Sequence, residues 1–162
     1  MSERRVADID VLTITLEIAS TRALFLLLAR DGTVNRMGSG SPSTADGDLY
    51  IGQTQPALLP EALKGLSEEA LGHTGVYDIP KKLGVPCRLA IALRFADGSE
   101  DGFGYTYGSD SQGPPKPIAM FVHASVMATQ SWYQEQRTMV GKGAAPNLLP
   151  PQPGRTPWWR IW

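Results

Sequence analysis

From Val11 to Ile18 apolar and polar side chains alternate without a break. Leu12, Ile14, Leu16 and Ile18 fall on one side, and Thr13, Thr15 and Glu17 on the other. A period of two marks a strand with one face buried. After a short Ser20-Thr21 turn comes the continuous apolar run Ala23 to Ala29, whose length predicts a central strand covered on both faces. Arg30-Asp31-Gly32 turns the chain, and Thr33 to Met37 returns as a third strand. Gly38 to Asp48 is loop-like, and Leu49 to Gly52 reads as a short edge strand.

Period 3.6 then takes over. Leu59, Ala62, Leu63, Leu66 and Ala70 share one helical face, Pro60 suits a first turn and Gly72 a stop, so a helix is expected over Pro60 to Leu71. Gly65 inside it costs about 1 kcal/mol relative to alanine, which makes this helix dependent on packing. A second hairpin follows. Cys87, Leu89, Ile91, Leu93 and Phe95 alternate with Arg88, Ala90, Ala92 and Arg94; Asp97-Gly98-Ser99 turns. The returning strand carries Phe103, Tyr105 and Tyr107 on one face and Gly102, Gly104 and Thr106 on the other. Glycines there leave room for something large, an aromatic side chain or a ligand.

The clearest element is a long helix over Pro117 to about Val140. Ile118, Phe121, Val122, Val126, Ala128, Trp132, Tyr133, Met139 and Val140 fall on its apolar face, and His123, Gln130, Ser131, Gln134, Arg137 and Thr138 on its polar one. The order is two hairpin-like strand groups, each followed by a helix. It predicts an α+β domain over residues 1–143: a mainly antiparallel sheet of about five to six strands, with two helices on one face.

The last nineteen residues are different. AAPNLLPPQPGRTPWWRIW holds five prolines, and three of the four tryptophans stand in its final five positions. The candidate binding residues are Trp158, Trp159, Arg160, Ile161 and Trp162, an anchor behind a semi-rigid Pro-rich spacer, Trp and Arg being the types most enriched in binding hot spots. Charge changes at the same boundary. Residues 1–140 sum to −4, and residues 141–162 to +3 with no acidic side chain. The sequence PWWRIW is also similar to Trp/Arg-rich antimicrobial peptides, which implies a membrane interface. The chain lacks their high positive charge, and that places a membrane reading below a protein groove.

The net charge of −1 over 162 residues gives no general attraction to nucleic acid. Cys87 is the only cysteine and no signal-type apolar run follows the polar start, which together predict a cytoplasmic protein. Candidate chemistry is sparse. Asp97, Ser99, Asp101 and Gly102 begin like a calcium loop, but Gly108 stands where the closing glutamate belongs. Cys87, His73 and His123 lack the spacing of a metal site or a nucleophile–base pair. No cofactor motif is present, and no metal ligand set is assigned.

The leading expectation is therefore a non-enzymatic protein-interaction or adaptor module, anchored through its Trp-rich tail to a protein partner or to another copy of itself. A second expectation, from a different class, is a small enzyme or ligand-binding domain. Its acidic, glycine-lined site would lie near residues 97–116, using Asp97, Asp101 and Asp110 beside Gly102 and Gly104. Membrane-surface attachment through the tail is the third.

Overall fold

The computed structural model describes residues 4–40, 48–80 and 82–141. Seven strands form one sheet: β1 (Ile9–Ile18), β2 (Thr21–Ala29), β3 (Thr33–Gly38), β4 (Leu49–Gln53), β5 (Gly75–Asp78), β6 (Pro86–Phe95) and β7 (Glu100–Gly108). Their spatial order is β4-β3-β2-β1-β6-β7-β5. Every neighbouring pair is antiparallel except β5 with β7, which is parallel. The fold is α+β with a large mixed sheet, one or two strands wider than the sequence predicts. The added strand is β5, a four-residue edge piece that the hydrophobic pattern does not announce. Its side chains are mostly exposed, so no burial pattern marks it.

The two hairpins are joined through β1 and β6, in a register that places Leu12 opposite Leu93, Ile14 opposite Ile91 and Leu16 opposite Leu89. Leu28, Leu26 and Leu24 continue the same rows on β2. These side chains, with Phe95, Phe103 and Tyr105, make one face of the core. The aromatic row of β7 is thus sheet core, as its alternation implies.

Two helices cover that face: α1 (Leu59–Leu63) and α2 (Lys116–Gly141). The first is shorter than its pattern predicts. It ends at Lys64, and the chain resumes as a 3-10 turn over Glu69–His73. Gly65 stands just past its end, where a Cβ would lie 2.9 Å from the Ala124 Cβ of α2. Glycine is there for contact between helices, not for helix propensity.

α2 agrees with its predicted span but not with all of its predicted inner face. Ile118, Phe121 and Tyr133 are buried, with Val122, Val126, Ala128 and Trp132 packed against the core. Ser125 and Thr129 are fully buried too, their hydroxyls donating back to the carbonyls of Phe121 and Ser125. Small hydroxyl side chains satisfied this way let the helix sit close to the sheet. Met139, expected inside, is exposed. Among the residues whose burial is described, Tyr133 is the last buried one; Gln134, Glu135, Arg137, Thr138 and Met139 are exposed and Gln136 is partly buried. The side chain of Val140 and residues 142–162 lie outside the described part.

The sequence singles out no buried cation, yet Arg36 of β3 has no exposed surface. It alternates inward with Val34. Its guanidinium donates to the carbonyls of Gly38 and Val126 and to Thr129 Oγ1, each at 3.2 Å, and lies 4.2 Å from the Tyr133 ring centre.

Candidate interaction surface

Both helices pack on one side of the sheet, and the second side is not covered by either. The prediction that β2 is covered on both faces is therefore corrected. Leu24, Leu26 and Leu28 enter the core, while Phe25, Leu27 and Ala29 face the other way and remain partly exposed. A run that reads as doubly buried has one fully buried face and an apolar second face that is only partly covered, with Ala23 buried on it.

The strand registers set out this second face as cross-strand rows. One row runs Ile51–Asn35–Leu27–Thr13–Ala92–Gly102, from β4 to β7. The next runs Leu49–Met37–Phe25–Thr15–Ala90–Gly104 and ends on Val76 of β5. Side-chain size falls along both rows, from large apolar groups through threonine and alanine to bare backbone. The result is a strip of small residues over β1, β6 and β7, of which Thr15, Ala90, Gly102 and Gly104 are buried and Thr13 and Ala92 partly buried. Phe25 and Leu27 stand on one side of it, and Val76, 53% exposed, on the other. Thr15 in the strip is buried, yet its Oγ1 has no hydrogen-bond partner; Asn35 Oδ1, on the shoulder, has none either.

Charged residues flank this strip at both ends. Arg22, Glu17 and Arg88 lie in cross-strand succession at one end, an alternation of sign that favours pairing. At the other, Val11 stands between Ala29 and Arg94. There the surface opens into a depression of about 350 Å³, bounded by Asp10, Arg30, Asp31 and Gly98. Arg30 Nε donates to Asp10 at 3.0 Å. The Asp31 carboxylate accepts from both the hydroxyl and the backbone N–H of Thr33, which hold it below the ordinary carboxylate range.

The acidic site expected near residues 97–116 is not assembled. Asp97 closes its turn by accepting from Ser99, which also lowers its pKa. Asp101 is held by Arg4 at 2.7 Å and Thr74 at 3.0 Å. It points to the helix-covered side of β7, whereas Gly102 and Gly104 point to the open side. Asp110 lies beyond the opposite end of β7. Cys87 is buried, its thiol pushed up by desolvation, and His73 and His123 stand on separate elements. Among the described residues, no three His, Cys, Asp or Glu side chains converge as a metal site would require. The tail residues Trp158, Trp159, Arg160, Ile161 and Trp162 lie outside the described residues.

Burial, with Tyr77 stacked on it at 5.3 Å, pushes the Tyr105 phenol from 10.0 up to about 12. Burial raises Tyr107 as well. A folded-state pKa above the unfolded one favours the protonated form in the fold. That contribution is complete below pH 10 and is lost as the pH climbs toward 12. Urea unfolding on either side of pH 10 is expected to show stability falling on the alkaline side, and Tyr105→Phe to flatten the fall. An unchanged slope in the variant would assign it elsewhere.

Comparison with protein-family models, with curated proteins and with solved structures gives no match. No helix among the described residues is long and apolar enough to cross a membrane. The functional reading therefore rests on the surface itself.

Proposed function

We propose that this chain is a non-enzymatic protein-interaction module. Its α+β body is a scaffold, and Trp158, Trp159, Arg160, Ile161 and Trp162 form an anchor for an apolar groove on a protein partner. The observation that carries this reading is the exposed end of α2. The helix stays in the core as far as Tyr133, and Gln134, Glu135, Arg137, Thr138 and Met139 after it are exposed. A solvent-facing helix end leading into the Pro-rich spacer is consistent with a tail presented to a partner. Two of the carboxylates of the alternative site are already engaged, Asp97 by its turn and Asp101 by Arg4 and Thr74.

In this reading the indoles fill the groove and Arg160 meets a carboxylate at its rim. Trp159→Ala in the full chain is expected to cost about 2 kcal/mol of partner affinity, roughly 30-fold. The thermal melt should not change. Affinity for a purified partner, measured by calorimetry, checks this. Equal affinity in wild type and in a Trp158→Ala/Trp159→Ala/Trp162→Ala variant would end the proposal.

A further inference from the structure

The two edges of the sheet differ. Among the described residues, four of the seven exposed large apolar side chains fall within positions 76–85: Val76, Tyr77, Leu83 and Val85. Val76 and Tyr77 belong to β5, which forms one edge. None of the seven falls on β4, the opposite edge. We infer that β5 is the contact by which two copies of this chain pair edge to edge, antiparallel, into one continuous sheet. The inference is independent of the tail anchor.

Backbone phase shows what this edge offers. The Ile79 N–H donates to the carbonyl of Thr106 on β7 at 2.9 Å. In a parallel ladder alternate residues turn both backbone groups to the same neighbour. Tyr77 therefore bonds to β7, and Val76 and Asp78 turn their N–H and C=O outward. Such groups are a template for another strand, and edges are ordinarily guarded against pairing by charge. The one charged residue of β5 is Asp78, and Lys82 Nζ lies 2.6 Å from its carboxylate. Val76 and Tyr77 beside it are 53% and 41% exposed.

Three features favour a second copy over any other extended chain. Register is the first. With a two-fold axis at Tyr77, Val76 of each copy stands opposite Asp78 of the other, and each such pair exchanges both of its backbone bonds. An axis at Asp78 would oppose two carboxylates. An axis at Val76 would set Asp78 opposite Thr74, outside the strand. The second feature is the aromatic ring. Tyr77 meets its own copy at the close, non-hydrogen-bonded position, where cross-strand aromatic pairs stabilise. Its ring is already held in place by stacking on Tyr105 at 5.3 Å. Charge order is the third. Glu68 and Glu69 precede the strand in sequence, and Lys81 and Lys82 follow it. Antiparallel pairing turns the acidic approach of one copy toward the basic exit of the other. The strand is short, so the contact belongs at the small, reversible end of the interface range.

Full-length variants test the inference by sedimentation equilibrium, with far-ultraviolet circular dichroism confirming the fold. The wild type should show a monomer–dimer equilibrium. Val76→Asp opposes carboxylates twice per dimer and should weaken association by about tenfold. Val76→Lys faces Asp78 and should associate at least as well as the wild type. Under oxidation Tyr77→Cys should form a disulfide-linked dimer, its Cα atoms lying roughly 4.5 Å apart across the axis. Val76→Cys, at roughly 7–8 Å, should not link; the native Cys87 is buried. The Trp158→Ala/Trp159→Ala/Trp162→Ala variant should dimerise as the wild type does. A wild type that stays monomeric at every concentration would overturn the inference. So would a dimer indifferent to Val76→Asp, failure of Tyr77→Cys to link, or a dimer abolished by the tail variant, which would place self-association on the tail. Loss of the edge contact leaves the anchor proposal standing, and an edge dimer leaves it equally open to its own test.

Discussion

Arg36→Ala is expected to lower unfolding stability by about 3 kcal/mol or more, the cost of a large core truncation with its residual cavity. For a chain of this length that corresponds to a melting point roughly 6–12 °C lower. The side chain is fully buried between β3 and α2, so its removal opens a void beneath Tyr133 and takes away the donor shared by Val126 and Thr129. Volume and charge are separable here. Thr129 Oγ1 also donates to the carbonyls of Ser125 and Val126, so losing the guanidinium does not strand the hydroxyl. Arg36→Met, which keeps most of the volume, is therefore expected to cost no more than about 1.5 kcal/mol, in line with apolar replacement of buried charges. Urea unfolding of the three proteins decides it. If methionine costs as much as alanine, the cation itself holds α2 on the sheet.

Gly38→Ala is expected to cost about 3 kcal/mol, against about 1 kcal/mol for Gly98→Ala. Both glycines have positive φ, +76° and +85°, so both substitutions carry the left-handed penalty. The surroundings separate them. A Cβ on Gly38 would stand 2.2 Å from the carbonyl oxygen of Ala23 on β2, whereas one on Gly98 meets nothing within 4 Å. Backbone cannot swing aside as a long side chain can, so the β2–β3 ladder must open at its last rung, Leu24 opposite Gly38. Gly38 also offers its carbonyl to Arg36. The Gly38→Ala and Arg36→Ala costs should therefore fall short of additivity when combined, as neighbours in one network do. Equal destabilisation by Gly38→Ala and Gly98→Ala would show that the clash relaxes at no cost.

The legible parts of this fold were those where one physical demand acted on many residues at once. The alternation in Val11–Ile18 and Cys87–Phe95 and the helical stripe from Ile118 to Tyr133 each follow from burying one face, and the structure has all three. Where a demand came from a distant residue, local pattern was silent. Nothing near Gly65 reveals that Ala124 will press on it, or that α1 will end at Leu63. Nothing in Gly75–Asp78 marks an exposed edge strand. Met139 has the right helical phase to be buried, but it follows Tyr133 in the exposed end of α2. The strip of small residues on the second face was half legible. Gly102 and Gly104 indicated room for a large group, and Leu27 and Phe25 belonged to a run too apolar for one buried face alone. Only the β1–β6 pairing puts the threonines and alanines between them.

That pairing also has a consequence for how the chain is made. Ile18 of β1 pairs with Cys87 of β6, sixty-nine positions later. At ribosomal speed, about 5–20 residues per second, the first hairpin waits roughly 3–14 s after emerging before its inner neighbour arrives. Throughout that interval the strand that will become the middle of the sheet is an outer one, offering unpaired amides to any extended chain nearby. A nascent chain is therefore most vulnerable to misassembly after β2 and before β6 have been made, and it is in that interval that a chaperone should be found bound to it.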